Sequence, residues 1–449
     1  MQYLTGVFPT PLDADKVAKG PLELVLCAGE RGCGLVQLRH SYPPGEMYGE
    51  SYGYRSGLNP TMVSHLGQLV ARAREIVELR PGDAVLDIGS NDGTTLGFFD
   101  ESFKLIGIDP AATKYERFYR PDIERVSDFF SANVANRALG GQKAKLILSI
   151  AMMYDLEDPV AFAREVAQCL SPDGLWIFEQ SYLPSMVDKL AYDTICHEHI
   201  EYYGVRQLDR ILREAGLKIV GLNFNESNGG SVCVLAAHDR CKMYEARTDV
   251  GSVIEKEIAR GFGGTVLYKQ FADRISQNRT MIRTDLAKWK HDRKVVFGLG
   301  ASTKGNVLLQ YLNISPDDIP IIGDINPDKH GHVTPGTMLP IISEEECVAL
   351  RPDVFFVLPW HFSSFFERAP HLKGSALYFP LPSPRLVPPR STLCRSASSS
   401  QHLMKLGPST FFALGFTRRY QVQEFSSSMT IPMTGQSKRF KPSWNRGFQ

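Results

Sequence analysis

One short stretch limits what this chain can fold into more than any other. Residues 84–95, Ala-Val-Leu-Asp-Ile-Gly-Ser-Asn-Asp-Gly-Thr-Thr, read as an apolar strand, a tight loop and a helix start. Gly89 and Gly93 permit backbone conformations and close ligand approach that a Cβ would block. Asp87 falls at the carboxyl end of the strand, where open α/β sheets bind their ligands, so the stretch reads as a nucleotide-cofactor loop. Asn91 and Asp92 lie within it. Its spacing is D-x-G-x-x-x-G and not G-x-G-x-x-G. A second strand, Leu105 to Ile108, ends in Asp109, whose two acceptor oxygens suit a pair of ribose hydroxyls. Without the loop, Asp109 before Pro110 would read equally well as a solvated turn residue.

The pattern continues along the chain. At 449 residues the sequence exceeds one core of usual size, so two or three domains are expected. Residues 1–60 are rich in Gly, Pro and Tyr. Met62 to Leu79 then carries helical periodicity, with Leu66, Leu69, Val70, Ala73, Ile76 and Val77 on one side. Over 61–240, strands at Ala84–Ile88, Leu105–Ile108, Lys145–Ile150 and Leu175–Glu179 alternate with a helix at Val160–Leu170, the last strand following a turn at Ser171–Gly174. That alternation predicts a doubly wound α/β sheet. Residues 241–390 predict a second α/β unit: a strand at Lys294–Phe297, a Gly-rich loop, a helix at Val307–Leu312, and strands at Ile319–Ile322 and Asp353–Leu358. Residues 391–449 set eight Lys or Arg against the single acid Glu424 and show no period, so a disordered or aberrant tail is expected there.

Composition excludes several classes. A net charge of +1 gives no reason to expect nucleic acid or an anionic membrane as partner, and no apolar run reaches membrane-spanning length. Eight scattered cysteines and the lack of a secretory opening predict a reducing cytoplasm. The oligomeric state is left open.

Four further constellations carry chemistry. Cys27 and Cys33, spaced C-x5-C, form half of a zinc knuckle or a bare pair of buried thiols, since a structural zinc needs four N or S ligands. Cys196-His197-Glu198-His199-Ile-Glu201 concentrates proton carriers without the H-E-x-x-H spacing of a helical zinc site, which favours general base chemistry by an imidazole beside a carboxylate. Tyr48, Tyr52 and Tyr54 suit either phenolic hydrogen bonds to a sugar or enolate oxygen, or aromatic packing. The loop Gly298-x-Gly300-x-Ser302-x-Lys304-Gly305 offers backbone N–H groups and one ammonium for a diphosphate, or packs a helix tightly on a strand.

These motifs occur in an order that resembles one family. Cys33-Gly-Leu-Val-Gln-Leu, Tyr52-Gly-Tyr-Arg-Ser-Gly, Val85-Leu-Asp-Ile-Gly-Ser-Asn-Asp-Gly-Thr, Cys196-His-Glu-His, Asn228-Gly-Gly-Ser and Gly298-Leu-Gly-Ala-Ser-Thr-Lys-Gly-Asn together resemble the S-adenosylmethionine (SAM)-dependent sugar C-methyltransferases of deoxysugar pathways. The resemblance implies an N-terminal zinc-binding module, a SAM-methyltransferase domain and a C-terminal Rossmann-like domain. It implies SAM held by Asp87, Gly89, Asn91, Asp92, Gly93, Asp109, Asp128 and Ser149. A nucleoside-diphosphate keto-sugar would be held by Gly298, Gly300, Ser302, Lys304 and Asn228, and methylated at carbon 3. His199 is then expected to take the acidic proton beside the ketone, with Glu198 orienting it, His197 nearby, and Tyr52 or Tyr54 near the enolate oxygen. Cys27 and Cys33 would be metal ligands if zinc is held. The chain departs from the family's pattern in three places. It has Cys196 where a tyrosine is expected, no histidine after the strand ending at Ile150, and no cysteine pair before Cys27.

Overall fold

The computed structural model describes residues 1–390 apart from 30–31, 44–46, 48–53 and 246. Tyr48, Tyr52 and the tail from 391 therefore lie outside the described residues. Five consecutive buried residues form β1 (Ala84–Ile88), as expected where helices cover both faces of a parallel sheet. Around it stand β2 (Lys104–Ile108), β3 (Glu124–Val126), β4 (Ala144–Ile150), β5 (Leu170–Ser181), β6 (Leu217–Asn225) and β7 (Ser231–His238). They make one sheet of order β6-β7-β5-β4-β1-β2-β3. Pairing is parallel from β5 through β4, β1 and β2 to β3, and β7 joins β5 and β6 antiparallel. Separate apolar clusters cover its two faces. Helix α1 (Pro60–Ile76) contributes Leu69, Val70 and Ala73 to one of them, and α2 (Ala132–Leu139) and α3 (Pro159–Cys169) pack on the other.

The doubly wound α/β expectation holds, with shifted boundaries. Helix α1 begins two residues before Met62, because Pro60 fits the first turn and Asn59 accepts hydrogen bonds from the N–H groups of Thr61 and Met62. The expected turn at Ser171–Gly174 is instead part of the long strand β5. The expected helix after Gly93 is only a 3-10 turn at Leu96–Phe98.

A second sheet contains β8 (Val296–Leu299), β9 (Ile322–Asp324), β10 (Ile341–Ser343), β11 (Val354–Val357), β12 (Ala376–Phe379) and β13 (Arg385–Val387). Its order is β10-β9-β8-β11-β12-β13, parallel except for the last pair. Strand β9 starts only at Ile322, not at Ile319, where Pro320 would remove a ladder donor. Helix α4 (Thr265–His291) and helix α5 (Thr303–Tyr311) contribute Ile275, Ile282, Leu308 and Leu309 to the core of this sheet. That core also takes in Leu183, Met186, Tyr192, Ile195 and Ile200, which follow β5 in the chain. The segment that leaves the first sheet thus packs into the second. The N-terminal hairpin of Leu24–Leu26 and Val36–Leu38 fastens it there, since Val36–Leu38 pairs antiparallel with Glu201–Tyr202.

Candidate functional site

The cofactor end is built at the carboxyl edge of β1 and β2. Gly89 and Gly93 adopt left-handed φ of 74° and 76°, values a side chain would strain. A Cβ on Gly93 would lie 2.9 Å from the ring of Tyr119, whose hydroxyl donates to the Asn91 carbonyl at 3.0 Å. Asp87 is 2% exposed, and its Oδ2 has no hydrogen-bond partner among the described residues. Burial first, and then the charge of Asp109, push its carboxyl up to about 8. Such an orphaned acceptor beneath a glycine loop fits the ammonium of SAM, which would satisfy it. Asp109 accepts from the N–H groups of Asn91 at 2.9 Å and Ala111 at 2.7 Å, and burial raises its carboxyl.

Other expected contacts are engaged within the protein. Asn91 Oδ1 accepts from Ser56 N at 2.9 Å and Asp92 Oδ2 from Gly57 N at 2.9 Å, so both side chains tie down the lead-in to α1. Ser149 accepts from the Trp176 indole at 2.9 Å. Asp128 is exposed and accepts from Phe129 N. Tyr54 keeps 44% exposure, and its carbonyl, not its phenol, reaches the loop by accepting from Asn91 Nδ2.

The His-Glu-His segment reaches the end of β4, where Ile200 N donates to the Tyr154 carbonyl at 2.9 Å. The His199 ring lies 4.2 Å from the Tyr154 ring, centroid to centroid. Its Nδ1 sits 2.9 Å from the Thr194 carbonyl; a proton on Nδ1 leaves Nε2 with its lone pair. Burial, then the nearby Lys304 ammonium, lowers its pKa to about 3, so the ring is neutral. A small cavity lies beside it, lined by Tyr154, Ser181, Met186, Thr194, His199 and Glu201. Burial pushes Glu201 up to about 8, and the Tyr203 hydroxyl donates to it.

Two of the expected residues meet other partners here. Glu198 accepts from the Thr5 hydroxyl at 3.2 Å, and the carbonyl of Thr194 faces Nδ1 of His199. His197 is fully buried away from the site, its Nε2 3.4 Å from the Gly20 carbonyl and its ring edge-on to Tyr42 at 4.8 Å.

In the second Gly-rich loop, packing fills the glycines. A Cβ on Gly298 would meet Ile322, and one on Gly300 would meet Pro359, each at 2.7 Å. Ser302 caps α5 by accepting from Gly305 N at 3.0 Å. Lys304 donates to the carbonyl of Asn228 at 2.6 Å, which brings the second sheet's lysine to the first sheet's 227–230 turn. Beside it, Asp193 is fully buried and accepts from the Trp360 indole at 2.7 Å. The sequence reading missed this pair, although Asp193 precedes the His-Glu-His motif by four residues.

The zinc expectation finds no site. Among the described residues no group of three or more His, Cys, Asp or Glu can hold a metal. Cys33 N donates to Cys27 Sγ at 3.4 Å, and the Cys33 thiol lowers Cys27 to about 6. Two sulfurs are half of the four ligands a structural zinc needs.

Sequence reasoning also passed over His65 and Glu179, which lie 2.6 Å apart. The available signal was an acid at the carboxyl end of an apolar strand, repeated at Asp87, Asp109 and Glu179. No helix among the described residues is long and apolar enough to cross a membrane.

Comparison with known proteins adds the following. A family model for a methyltransferase domain matches residues 61–222, and one described as a C-methyltransferase C-terminal domain matches residues 226–382. The chain is 30% identical over 378 residues to the C-methyltransferase NovU of Streptomyces niveus, covering 83% of this chain and 89% of that one. Among solved structures it is similar to an S-adenosylmethionine-dependent methyltransferase of Clostridium acetobutylicum, with 11% identity, 39% of this chain and 92% of that chain covered, and a TM-score of 0.31. It is also similar to CalO1, a methyltransferase in calicheamicin biosynthesis solved in its S-adenosylhomocysteine (SAH)-bound form, with 12% identity, coverage of 40% and 57%, and a TM-score of 0.30.

Proposed function

Because this chain belongs to the family of SAM-dependent C-methyltransferases, we propose that it methylates a carbon beside a ketone, at carbon 3 of a nucleoside-diphosphate-linked keto-deoxysugar. The observation that carries this reading is the place of His199, whose Nδ1 faces the Thr194 carbonyl at 2.9 Å and whose ring packs against Tyr154 in the segment that follows β4. With its proton on Nδ1, the ring presents on Nε2 the lone pair that a general base needs. When bound, SAM supplies a methyl group on a positively charged sulfur, electrophilic enough to need no metal. Asp87 and Asp109 would hold its ammonium and ribose ends, and the Gly89 and Gly93 backbone would allow its close approach. Lys304 and Asn228, at the junction of the two sheets, are suited to the anionic diphosphate. Placement of the acceptor carbon in line with the methyl group accounts for much of the remaining rate.

The test is incubation of the full chain with SAM and a nucleoside-diphosphate 4-keto-6-deoxyhexose, with the new methyl located by carbon NMR. A carbon-bound methyl at position 3 supports the proposal. A methyl on oxygen or nitrogen, or no transfer to any keto-sugar nucleotide, overturns it. His199→Ala is expected to abolish transfer while titration calorimetry finds SAH affinity within about twofold of the parent, since lost base catalysis accounts for roughly 10²–10⁴ in rate and no cofactor contact.

A further inference from the structure

The cavity beside His199 has a second titratable group in its wall. Glu201 lines it together with His199, Tyr154, Ser181, Met186 and Thr194. The residue is 4% exposed. It opens the short strand Glu201–Tyr202, where pairing of its backbone with Gln37 of the N-terminal hairpin fixes its position. The Tyr203 hydroxyl donates to Oε2 of Glu201. That oxygen is an acceptor within the protein, and Oε1 is the one that can carry a proton.

The same wall adjoins the cofactor loop. Ser181 ends β5 at the carboxyl edge of the first sheet. Tyr154 packs against His199, with ring centroids 4.2 Å apart. Two residues earlier, the Met152 side chain lies 3.4 Å from where a Cβ on Gly89 would stand. Residues 152–154 therefore join the loop that faces the cofactor to the cavity that His199 and Glu201 share.

The two groups offer opposite chemistry. With Nδ1 facing the Thr194 carbonyl, His199 presents a lone pair on Nε2. Glu201 is faced by Tyr203 and His199 from its own segment, by Tyr154 after β4, and by Asp158 at the start of α3. Burial, opposed by the Tyr203 hydroxyl and joined by the Asp158 carboxyl, pushes it up to about 8, so near neutral pH it is a carboxylic acid with a hydrogen to donate. Titratable groups whose environments diverge in this way are the usual pattern of acid and base assignments. Enolate formation needs both, one to take the proton and one to meet the charge that develops on oxygen. We propose that Glu201 is the catalytic hydrogen-bond donor to the acceptor's ketone oxygen, acting from the cavity wall it shares with His199, and that Tyr203 is the residue that positions it. This rests on the keto-acceptor reading above, and gives Glu201 the place at the enolate oxygen expected of Tyr52 or Tyr54.

In this step the C–H bond beside the ketone breaks, and its proton passes to Nε2 of His199. The bonding pair forms the enolate double bond, and the oxygen takes the charge opposite the O–H of Glu201. The carbon then takes the methyl as the S–CH3 bond breaks and its pair stays on sulfur. The carbonyl re-forms, Glu201 keeps its proton throughout, and His199 releases its own to solvent.

The test separates proton removal from methylation. The full chain with SAH and a nucleoside-diphosphate 4-keto-6-deoxyhexose in D2O is followed by NMR for exchange at the α-carbon, and methylation with SAM is measured alongside. Glu201→Ala is expected to slow both by about 10²–10³ with SAH affinity unchanged, and Glu201→Gln, which keeps a donor, to recover most of the loss. Parental exchange should fall as pH rises through about 8, where the carboxyl loses its proton, and Glu201→Gln should lack that fall. Tyr203→Phe, which removes a bond to the ionised form, should move it to higher pH; an unmoved fall takes the positioning role from Tyr203. Parental rates in Glu201→Ala, or a Glu201→Gln that is as slow as Glu201→Ala or keeps the parental pH profile, overturn the proposal alone. Loss of SAH binding or of cooperative unfolding in both Glu201 variants also overturns it, by assigning the carboxyl to packing. A parent chain that neither exchanges nor methylates overturns the keto-sugar reading, and this proposal with it.

Discussion

Three carboxylates lie at the carboxyl ends of three strands of the first sheet, and their surroundings give them different work. Asp87 keeps an unpartnered buried oxygen, Asp109 accepts two backbone N–H groups, and Glu179 holds a histidine. Asp109 also retains lone pairs for a ribose, because each carboxylate oxygen accepts more than one hydrogen bond. Asp109→Ala is therefore expected to weaken SAH binding by roughly 10–100-fold, the equivalent of one or two charge-assisted hydrogen bonds. Calorimetric titration measures it, and an affinity within about twofold of the parent would remove Asp109 from the cofactor site. At this scale the sequence exposed Asp87 and Asp109 through strand ends and glycine spacing. It could not reveal that Asn91 and Asp92 bond to Ser56 and Gly57, because those partners lie 35 residues away.

Element packing explains why the second Gly-rich loop resembles a phosphate cradle while its glycines serve another purpose. Gly300 has a φ of 81°, and the strand-to-helix turn presses it against Pro359. Gly300→Ala combines left-handed strain with a 2.7 Å contact to a rigid ring. It is expected to lower stability by about 1–3 kcal/mol, measured by urea unfolding. SAH affinity should be unchanged, because the loop belongs to the other sheet. Helix α5 gains its start from Ser302, and Ser302→Ala should cost about 1 kcal/mol in the same measurement. The sequence placed this helix four residues late, at Val307, because apolar periodicity marks the buried face, whereas the cap and the polar first turn lie ahead of it.

For the whole molecule, ionisable groups are buried both in the first sheet, at Asp87, and in the 183–203 segment that crosses to the core of the second, at His197 and Glu201, and pH dependence follows. Burial raises Asp87 and Glu201 each to about 8. The stability they contribute is complete below the ordinary carboxyl range near pH 4, and is lost as pH rises through about 8. Burial lowers His197 to about 4 and His199 to about 3. Their contribution is complete above about pH 6.5 and is lost as pH falls through those values. From about pH 6.5 to about pH 9 the carboxyl effect acts without opposition from the two histidines. The ligand-free chain should lose unfolding free energy over that range in urea titrations, and Glu201→Gln should flatten part of the loss. A parental slope in that variant would show that Glu201 ionises freely. By itself the sequence determined the two α/β sheets, the D-x-G-x-x-x-G loop and the imidazole cluster, because strand periodicity, glycine conformation and side-chain chemistry are local properties. Only the tertiary structure decided that Glu179 meets His65, that the Thr194 carbonyl faces Nδ1 of His199, and that Lys304 meets the Asn228 turn. Those pairings depend on long-range contacts between elements that no local pattern encodes.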